Sequence, residues 1–188
     1  MHKIITLSLL LTIGFISCKN SAKEIDKLEI AKQYYKVLEN SDDSGIAALL
    51  NDSLLTKESD YEQTFSVAEY TAWLKWDAVF EPTYETLQIV QENGVVKAKI
   101  SKIDKRIFFL HEAPIVTDQV IRFDGNKISS VETMAYVNFN DTIFVKNRSK
   151  LLSWIEKNHP ELEEFIYDQT KEGGLRYLKA LELYKEEN

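Results

Sequence analysis

The sequence predicts an α+β domain in which N-terminal helices pack on an antiparallel sheet, followed by a C-terminal helical extension. Apolar residues first recur every three or four positions, as they do on one face of a helix. Segments rich in β-branched and aromatic residues then alternate with tight-turn dipeptides, and helical spacing returns after residue 138. Since 188 residues with 44% apolar content suffice for one packed core, we expect a single folded domain.

Three helices are predicted before the sheet. The first covers residues 25–39, and a short second helix lies near residues 46–50. Ser66 and Glu69 form a capping box, in which each side chain satisfies a backbone N–H at a helix start, so a third helix begins there. It ends before Pro82, which disfavours helical geometry in the preceding residue. The apolar face of the first helix consists of Ile25, Leu28, Ala31, Tyr35 and Leu38.

The middle of the chain predicts four strands joined largely by hairpins. Asn93-Gly94 and Asp124-Gly125 are dipeptides that tight hairpin turns prefer, because glycine accepts a positive φ without steric cost. The sheet should therefore be mainly antiparallel. The predicted strands cover residues 84–90, 95–103, 115–123 and 127–136.

The last 49 positions read as helices that pack on the same domain. A first helix follows residue 138, a second begins at Pro160, a favoured first-turn residue, and a third follows Gly173-Gly174. No linker of low complexity separates them from the sheet. We therefore divide the folded part into an α+β domain at residues 25–139 and a helical extension at residues 140–188.

The first residues have the layout of a secretory signal. Lys3 precedes an uncharged, mostly apolar run at residues 4–16, which is shorter than the roughly 20 residues of a membrane-spanning helix. Cys18 follows directly, in a pattern that resembles the bacterial lipobox. Phe15 and Ser17 stand where that motif usually has Leu and a smaller residue.

The resemblance implies a lipid anchor on Cys18, the only cysteine of the chain. Residues 1–17 would be the signal peptide and residues 18–24 a lipidated tether. Several acyl chains, such as palmitate, on one residue exceed the threshold for stable membrane attachment. We expect the protein in the cell envelope, at the outer membrane or the periplasmic face. The alternative is an ordinary signal peptide with a chance cysteine.

The order of elements resembles the nuclear transport factor 2 (NTF2)-like and SnoaL-like superfamily. Residues 120–128, reading VIRFDGNKI, are similar to a hairpin common in that superfamily, and residues 34–50 are similar to its N-terminal helix pair. The likeness covers about residues 25–136, whereas residues 140–188 depart from it. It implies a cone-shaped fold whose curved sheet encloses a cavity, used for catalysis by some members and for binding or dimerisation by others. Fold therefore does not decide function.

One hypothesis makes the protein an isomerase, dehydratase or hydrolase of the kind found on this fold. Its candidate catalytic residues are His111, whose imidazole titrates near neutrality, with Asp118 or Glu132 as the orienting carboxylate. The structural alternative is that His111 is a loop residue beside a proline turn. In the same way, Glu132 has a second interpretation as the cross-strand partner of Arg122.

The leading hypothesis is non-catalytic binding of a small apolar ligand or a protein partner in the cone. Aromatic residues are concentrated ahead of the sheet, where they form either the core or the wall of an apolar pocket. A third hypothesis is a homodimer in which a second copy covers the open sheet face. The candidate ligand-binding residues are Tyr35, Tyr70, Trp73, Trp76 and Arg122.

Composition argues against two classes of partner. The net charge of -7, with 30 acidic and 23 basic side chains, would repel a phosphate backbone, so we expect no nucleic-acid binding. Three histidines and one cysteine hardly supply the ligands of a zinc site. We therefore expect neither a metal nor a cofactor. The identity of a ligand and the biological pathway do not follow from the sequence.

Overall fold

The computed structural model describes residues 26–187. The predicted signal peptide and the lipidated Cys18 lie outside the described residues. The helices are α1 (Lys27–Asn40), α2 (Asp43–Leu49), α3 (Val67–Ala78), α4 (Lys105–His111), α5 (Asp141–Asn158) and α6 (Lys171–Glu187). The strands are β1 (Leu50–Glu58), β2 (Tyr61–Ser66), β3 (Thr83–Glu92), β4 (Val95–Ile103), β5 (Ile115–Asp124) and β6 (Lys127–Tyr136).

The three N-terminal helices are confirmed, and side-chain caps start each of them. Asp26 and Asp42 accept hydrogen bonds from backbone N–H groups three residues later, which begins α1 and α2. Ser66 and Glu69 form the predicted capping box of α3. The buried face of α1 consists of Ala31, Tyr34, Tyr35 and Leu38.

Six strands form one sheet in the order β2-β1-β6-β5-β4-β3. All neighbours are antiparallel except β1 and β6, which are parallel. Both predicted glycine turns are confirmed, since Gly94 has φ +80° and Gly125 has φ +56°. The main core lies between the sheet and helices α1 to α3, around Leu54, Leu74 and Ile121.

Strands β1 and β2 were not predicted. The sequence of β1 is rich in polar residues, and the turn residues Asn51-Asp52-Ser53 at its start hide the strand. Its central Leu54 is nevertheless completely buried. β1 forms because its backbone pairs with β2 on one side and with β6 on the other, and β6 lies about 75 residues later in the chain. The residue pattern within β1 itself does not indicate a pairing partner so far away in the sequence.

The interpretation of His111 as a loop residue is wrong. Asp104 accepts a hydrogen bond from the backbone N–H of Ile107 at 2.5 Å and starts α4, a helix that the sequence analysis missed. His111 is the last residue of that helix and is 3% exposed. Glu112 then ends the helix in the left-handed conformation, with φ +63°.

The C-terminal extension packs against α3 as expected, but two of its boundaries differ from the prediction. Pro160 starts only a 3-10 turn (Pro160–Leu162), and Gly173 and Gly174 lie inside the first turns of α6 rather than before it. Gly174 is buried against Trp76, where a larger residue would be crowded. A second core forms here, around Trp76, Phe80, Leu151, Phe165 and Tyr177. None of the described helices is long and apolar enough to cross a bilayer.

Candidate ligand-binding cavity

A cavity of about 810 Å³ lies on the concave side of the sheet. Side chains from all six strands line it, together with residues of α1, α3 and α4. The C-terminal extension completes the wall with Phe144 and Arg148 of α5, Ile166, and Tyr177 of α6. The extension therefore encloses the cone without filling it, and the remaining volume lies within the range of small-molecule sites.

One wall of the cavity is aromatic. Tyr70 stacks on Trp73 with 5.3 Å between ring centroids, and the Trp76 ring follows at 6.3 Å from Trp73. These three residues recur at three-residue steps along α3, so the helix presents them on one face. Four candidates, Tyr35, Tyr70, Trp73 and Trp76, line the cavity. Their role in ligand binding remains a prediction.

The phenols of Tyr34, Tyr35 and Tyr70 within the cone are hydrogen-bonded and neutral. The hydroxyls of Tyr34 and Tyr70 lie 2.6 Å apart, and Tyr35 donates to Gln119 Oε1 at 2.8 Å. Burial raises the pKa of Tyr34 to about 12 and holds the pKa of Tyr70 well above its usual range. These groups therefore stay protonated near neutral pH.

A buried cluster of four charges, which we call the α3–α4 charge cluster, lies behind one part of the wall. It consists of Asp77, Lys102, Asp104 and Arg106. Lys102 Nζ lies 2.6 Å from Asp77 Oδ1, and Arg106 lies 3.2 Å from Asp104. The two carboxylates are fully buried, whereas the two cations retain 18% and 20% exposure and line the cavity. The carboxylates therefore hold the cations on the cavity wall.

Aromatic side chains beside this cluster contact Arg106 and Asp77 and restrict how these two side chains are oriented. The Arg106 guanidinium lies 4.7 Å from the centroid of the Trp76 ring and 5.1 Å from that of Phe80. Tyr84 donates a hydrogen bond to the second oxygen of Asp77 at 3.0 Å. Both oxygens of Asp77 are thus engaged, one by Lys102 and one by Tyr84.

Solvent meets the cavity near Tyr61 and Tyr136, which line it and are 66% and 42% exposed. Burial and a hydrogen bond to Glu58 raise the pKa of Tyr136 above its usual range. Phe139 packs beside Tyr136, with ring centroids 5.4 Å apart. The mouth is therefore bordered by aromatic side chains.

His111 does not line the cavity. Its Nδ1 donates to the carbonyl of Ala113 at 2.8 Å, and its Nε2 accepts from the backbone N–H of Asn140 at 2.8 Å. The ring also stacks on Phe139 at 5.2 Å. Both nitrogens are engaged by backbone groups, so His111 ties the end of α4 to the start of α5.

The other candidates on the strands face away from the cone. Asp118 pairs with Lys99 at 2.8 Å, and Arg122 pairs with Glu132 at 3.4 Å, as the cross-strand interpretation predicted. None of these four side chains lines the cavity. The structure therefore does not bring His111 together with Asp118 or Glu132, and it places Arg122 outside the candidate ligand site.

The sequence analysis missed the polar residues of the cavity. Asp77 carried a signal, since a carboxylate three residues after Leu74 and three before Phe80 falls on the buried face of α3. Lys102 lies at the end of the predicted strand β4, whereas Arg106 lies in α4, a helix that was not predicted. Among residues 26–187, no group of His, Cys, Asp and Glu side chains is arranged to hold a metal ion.

No family model matches the sequence, and no curated relative does either. Solved structures do match. IdmH from Streptomyces antibioticus is 9% identical with a TM-score of 0.50, and the match covers 66% of this chain and 99% of IdmH. SalBIII, an epoxide hydrolase/cyclase-like enzyme that has a role in pyran ring formation in salinomycin, is 13% identical with a TM-score of 0.50. The match covers 64% of this chain and 95% of SalBIII. An NTF2-like protein of unknown function from Cytophaga hutchinsonii is 10% identical with a TM-score of 0.49, covering 61% and 93%.

Similarity at 9% to 13% identity establishes the fold and not the activity. IdmH and SalBIII are covered almost completely by the match, at 99% and 95% of their lengths. Helices α1 to α3, the six-stranded unclosed sheet and the cavity on its concave side give the same architecture. The described chain is an α+β domain of the NTF2-like, SnoaL-like fold with a C-terminal helical extension.

Proposed function

We propose that this protein binds a small apolar ligand in the cone without converting it. The observation that carries this proposal is the cavity of about 810 Å³, whose wall is mainly aromatic and aliphatic and also carries polar and charged side chains. This composition is typical of small-molecule sites, where apolar walls provide affinity and a few polar groups provide orientation.

Binding is favoured over catalysis by the state of the ionisable groups around the cone. Asp77 is engaged by Lys102 and Tyr84, and Glu58 is engaged by Tyr136. A general base needs a free lone pair within reach of the substrate. Asp77 is completely buried and does not line the cavity, so it cannot take a proton from a ligand there, and Glu58, which does line it, already accepts the hydrogen bond of Tyr136 at the mouth.

The cavity is testable with a matched pair of variants on β6. Thr133 lines the cavity, whereas the neighbouring Met134 is 57% exposed and does not. Thr133→Trp should fill the cone and abolish binding of dodecanol, measured as a change in tryptophan fluorescence. Met134→Trp should bind it as the native protein does. Equal binding by the two variants would contradict the cone as the site.

Native mass spectrometry of the purified protein should show a co-purified small molecule.

The proposal includes a lipid anchor on Cys18 and a position in the bacterial cell envelope. It is supported by the apolar run at residues 4–16 and by the placement of the only cysteine. Cells grown with labelled palmitate should incorporate the label, and the mature chain should begin at Cys18. Cys18→Ser should lose the label. A label that persists in Cys18→Ser, or a mature chain that begins elsewhere, would contradict the anchor.

A further inference from the structure

We infer that the cone selects an apolar ligand with one carboxylate group, held where α3, α4, α5 and α6 meet. This inference rests on the proposed function, because it names the ligand class of the same cavity. Three observations carry it: the charge balance of the wall, a hydrogen-bond donor without an acceptor, and the apolar character of the opposite side.

The α3–α4 charge cluster is balanced by itself. Lys102 lies 2.6 Å from Asp77 and 3.7 Å from Asp104, and Arg106 lies 3.2 Å from Asp104. Two cations therefore face two fully buried carboxylates. By itself, the cluster therefore presents no net charge to a ligand beside it.

Arg148 adds one positive charge to the same wall. It is half-buried, lines the cavity from α5, and has no carboxylate within ion-pair distance among residues 26–187. A partly desolvated guanidinium without a counter-charge is unfavourable, and an anion beside it would offset that cost. Beside the α3–α4 charge cluster there is thus one positive charge without a paired carboxylate, which fits a ligand with a single negative charge. The other charged lining residues, Lys57 and Glu58, have partners elsewhere, since Lys57 pairs with Glu62 at 2.7 Å and Glu58 accepts the hydrogen bond of Tyr136.

Two buried donors also lack acceptors. Trp76 is 5% exposed, and its indole N–H makes no hydrogen bond with any described residue. Tyr177 is 3% exposed and lines the cavity, and its hydroxyl has no hydrogen-bond partner among residues 26–187. A polar group without a partner is costly in a desolvated site, so the Tyr177 hydroxyl favours a ligand that accepts hydrogen bonds, whereas the indole N–H of Trp76 is covered by protein atoms and out of a ligand's reach.

These donors and cations belong to one region. The Phe80 ring lies between the other two rings, with centroids 5.2 Å from Trp76 and 5.5 Å from Tyr177. Arg106 lies over both Trp76 and Phe80. Tyr177 lies on α6 and Arg148 on α5, and Asn147, the neighbour of Arg148, donates hydrogen bonds to the carbonyls of Phe109 and Leu110, which places this part of α5 against α4.

A carboxylate matches this arrangement better than a phosphate. Its two oxygens accept several hydrogen bonds, and its single charge equals the excess on the wall, whereas a phosphate dianion would bring one charge too many. The apolar body of the ligand would face the other side of the cavity, which is formed by residues such as Leu38, Phe65, Ile100, Ile115 and Val131.

The experiment compares dodecanoate with dodecanol, which has the same chain and no charge. Trp73 and Trp76 line the cavity, so tryptophan fluorescence of the protein reports binding directly. Dodecanoate should bind about tenfold to a hundredfold more tightly, as expected for a charge-assisted hydrogen bond. Naphthoate serves as a second carboxylate, and its affinity relative to dodecanoate tells whether the body is a ring system or an alkyl chain.

Arg148→Met should remove the preference for dodecanoate and leave dodecanol binding unchanged. Arg148→Lys should retain part of the preference, and Tyr177→Phe should lower it without removing it. Arg122→Met is the matched control, because Arg122 lies outside the cavity and should leave both affinities as they are. Thermal unfolding of each variant verifies that it is folded.

The outcomes separate this inference from the proposed function. Equal affinities for dodecanoate and dodecanol, or a preference that survives in Arg148→Met, would overturn the carboxylate site and leave the apolar cone in place. If dodecanol, dodecanoate and naphthoate all fail to bind, the proposed binding function is contradicted as well.

Discussion

The buried pair of Asp77 and Lys102 predicts an unequal response to removal of its two charges. Asp77 is completely buried, whereas Lys102 retains 18% exposure and faces the cavity. After Lys102→Met, the nearest cation to Asp77 is Arg106 at 3.9 Å, and the carboxylate cannot reach water. Leaving a buried charge without its partner costs about 3 to 5 kcal/mol. We expect about 3 kcal/mol, since Arg106 and Tyr84 still stabilise the carboxylate.

Asp77→Asn should cost less. The amide keeps the volume and an oxygen that accepts the hydrogen bond of Tyr84, and Lys102 still has Asp104 at 3.7 Å and access to the cavity. We expect a loss of about 1 to 2 kcal/mol, the range for one compromised buried hydrogen bond. The double variant should then be less destabilised than the sum of the two single variants, by about 1 to 2 kcal/mol.

Urea unfolding followed by far-ultraviolet circular dichroism measures these free energies independently of the nearby tryptophans. Lys99→Met is the control on the same strand, because Lys99 and Asp118 form an exposed pair at 2.8 Å whose loss should cost less than about 1 kcal/mol. A cost for Lys102→Met that is no larger than that for Lys99→Met or Asp77→Asn would refute the reasoning.

Three further predictions concern groups that hold the fold. Burial raises the pKa of Tyr34 to about 12 and that of Tyr70 well above its usual range. Between these values and the pKa of about 10 in the unfolded chain, the folded protein retains phenol protons that the unfolded chain loses. The two phenols therefore contribute fully to stability below about pH 10, and this contribution falls as the pH rises from there towards 12. The urea midpoint should therefore fall less steeply with pH above 10 in a variant with Phe at both positions, and an unchanged pH dependence would contradict this assignment. His111→Phe leaves two backbone groups without partners and should cost about 2 to 3 kcal/mol in urea unfolding while dodecanol binding stays the same; altered binding would instead connect His111 to the cavity. Gly173→Ala would press a Cβ against the carbonyl oxygen of Asp168, so its thermal midpoint should fall by an amount equivalent to about 1 to 3 kcal/mol, and an unchanged midpoint would show that the start of α6 relaxes freely.

Elements that depend on neighbours in the sequence were predicted closely. The capping box of Ser66 and Glu69 starts α3, and the turns at Asn93-Gly94 and Asp124-Gly125 join the strands that the alternation indicated. Four aromatic candidates for the pocket also line the cavity, because the period of a helix places Tyr70, Trp73 and Trp76 on one face of α3 and Tyr35 on the buried face of α1. These outcomes follow from interactions that span only a few residues.

Contacts between distant parts of the chain decided the rest. β1 is a strand because it pairs in parallel with β6, and His111 is buried because α4 meets the start of α5. In the same way, Arg122 was a candidate for the ligand site but faces away from the cone, where Glu132 pairs with it. A one-dimensional pattern does not specify which face of a sheet becomes concave when both faces mix polar and apolar residues.

The sequence by itself determined the α+β class, the main hairpins, the first three helices and the existence of a helical extension, since local backbone preference and hydrophobic period are encoded within a few consecutive residues. Only the tertiary structure decided that the extension encloses the cone without filling it. It alone assembled Asp77, Lys102, Arg106 and Arg148 on one wall, because these charges come from α3, β4, α4 and α5. Their interaction energies depend on burial and on distances of a few ångströms, which arise when the chain packs.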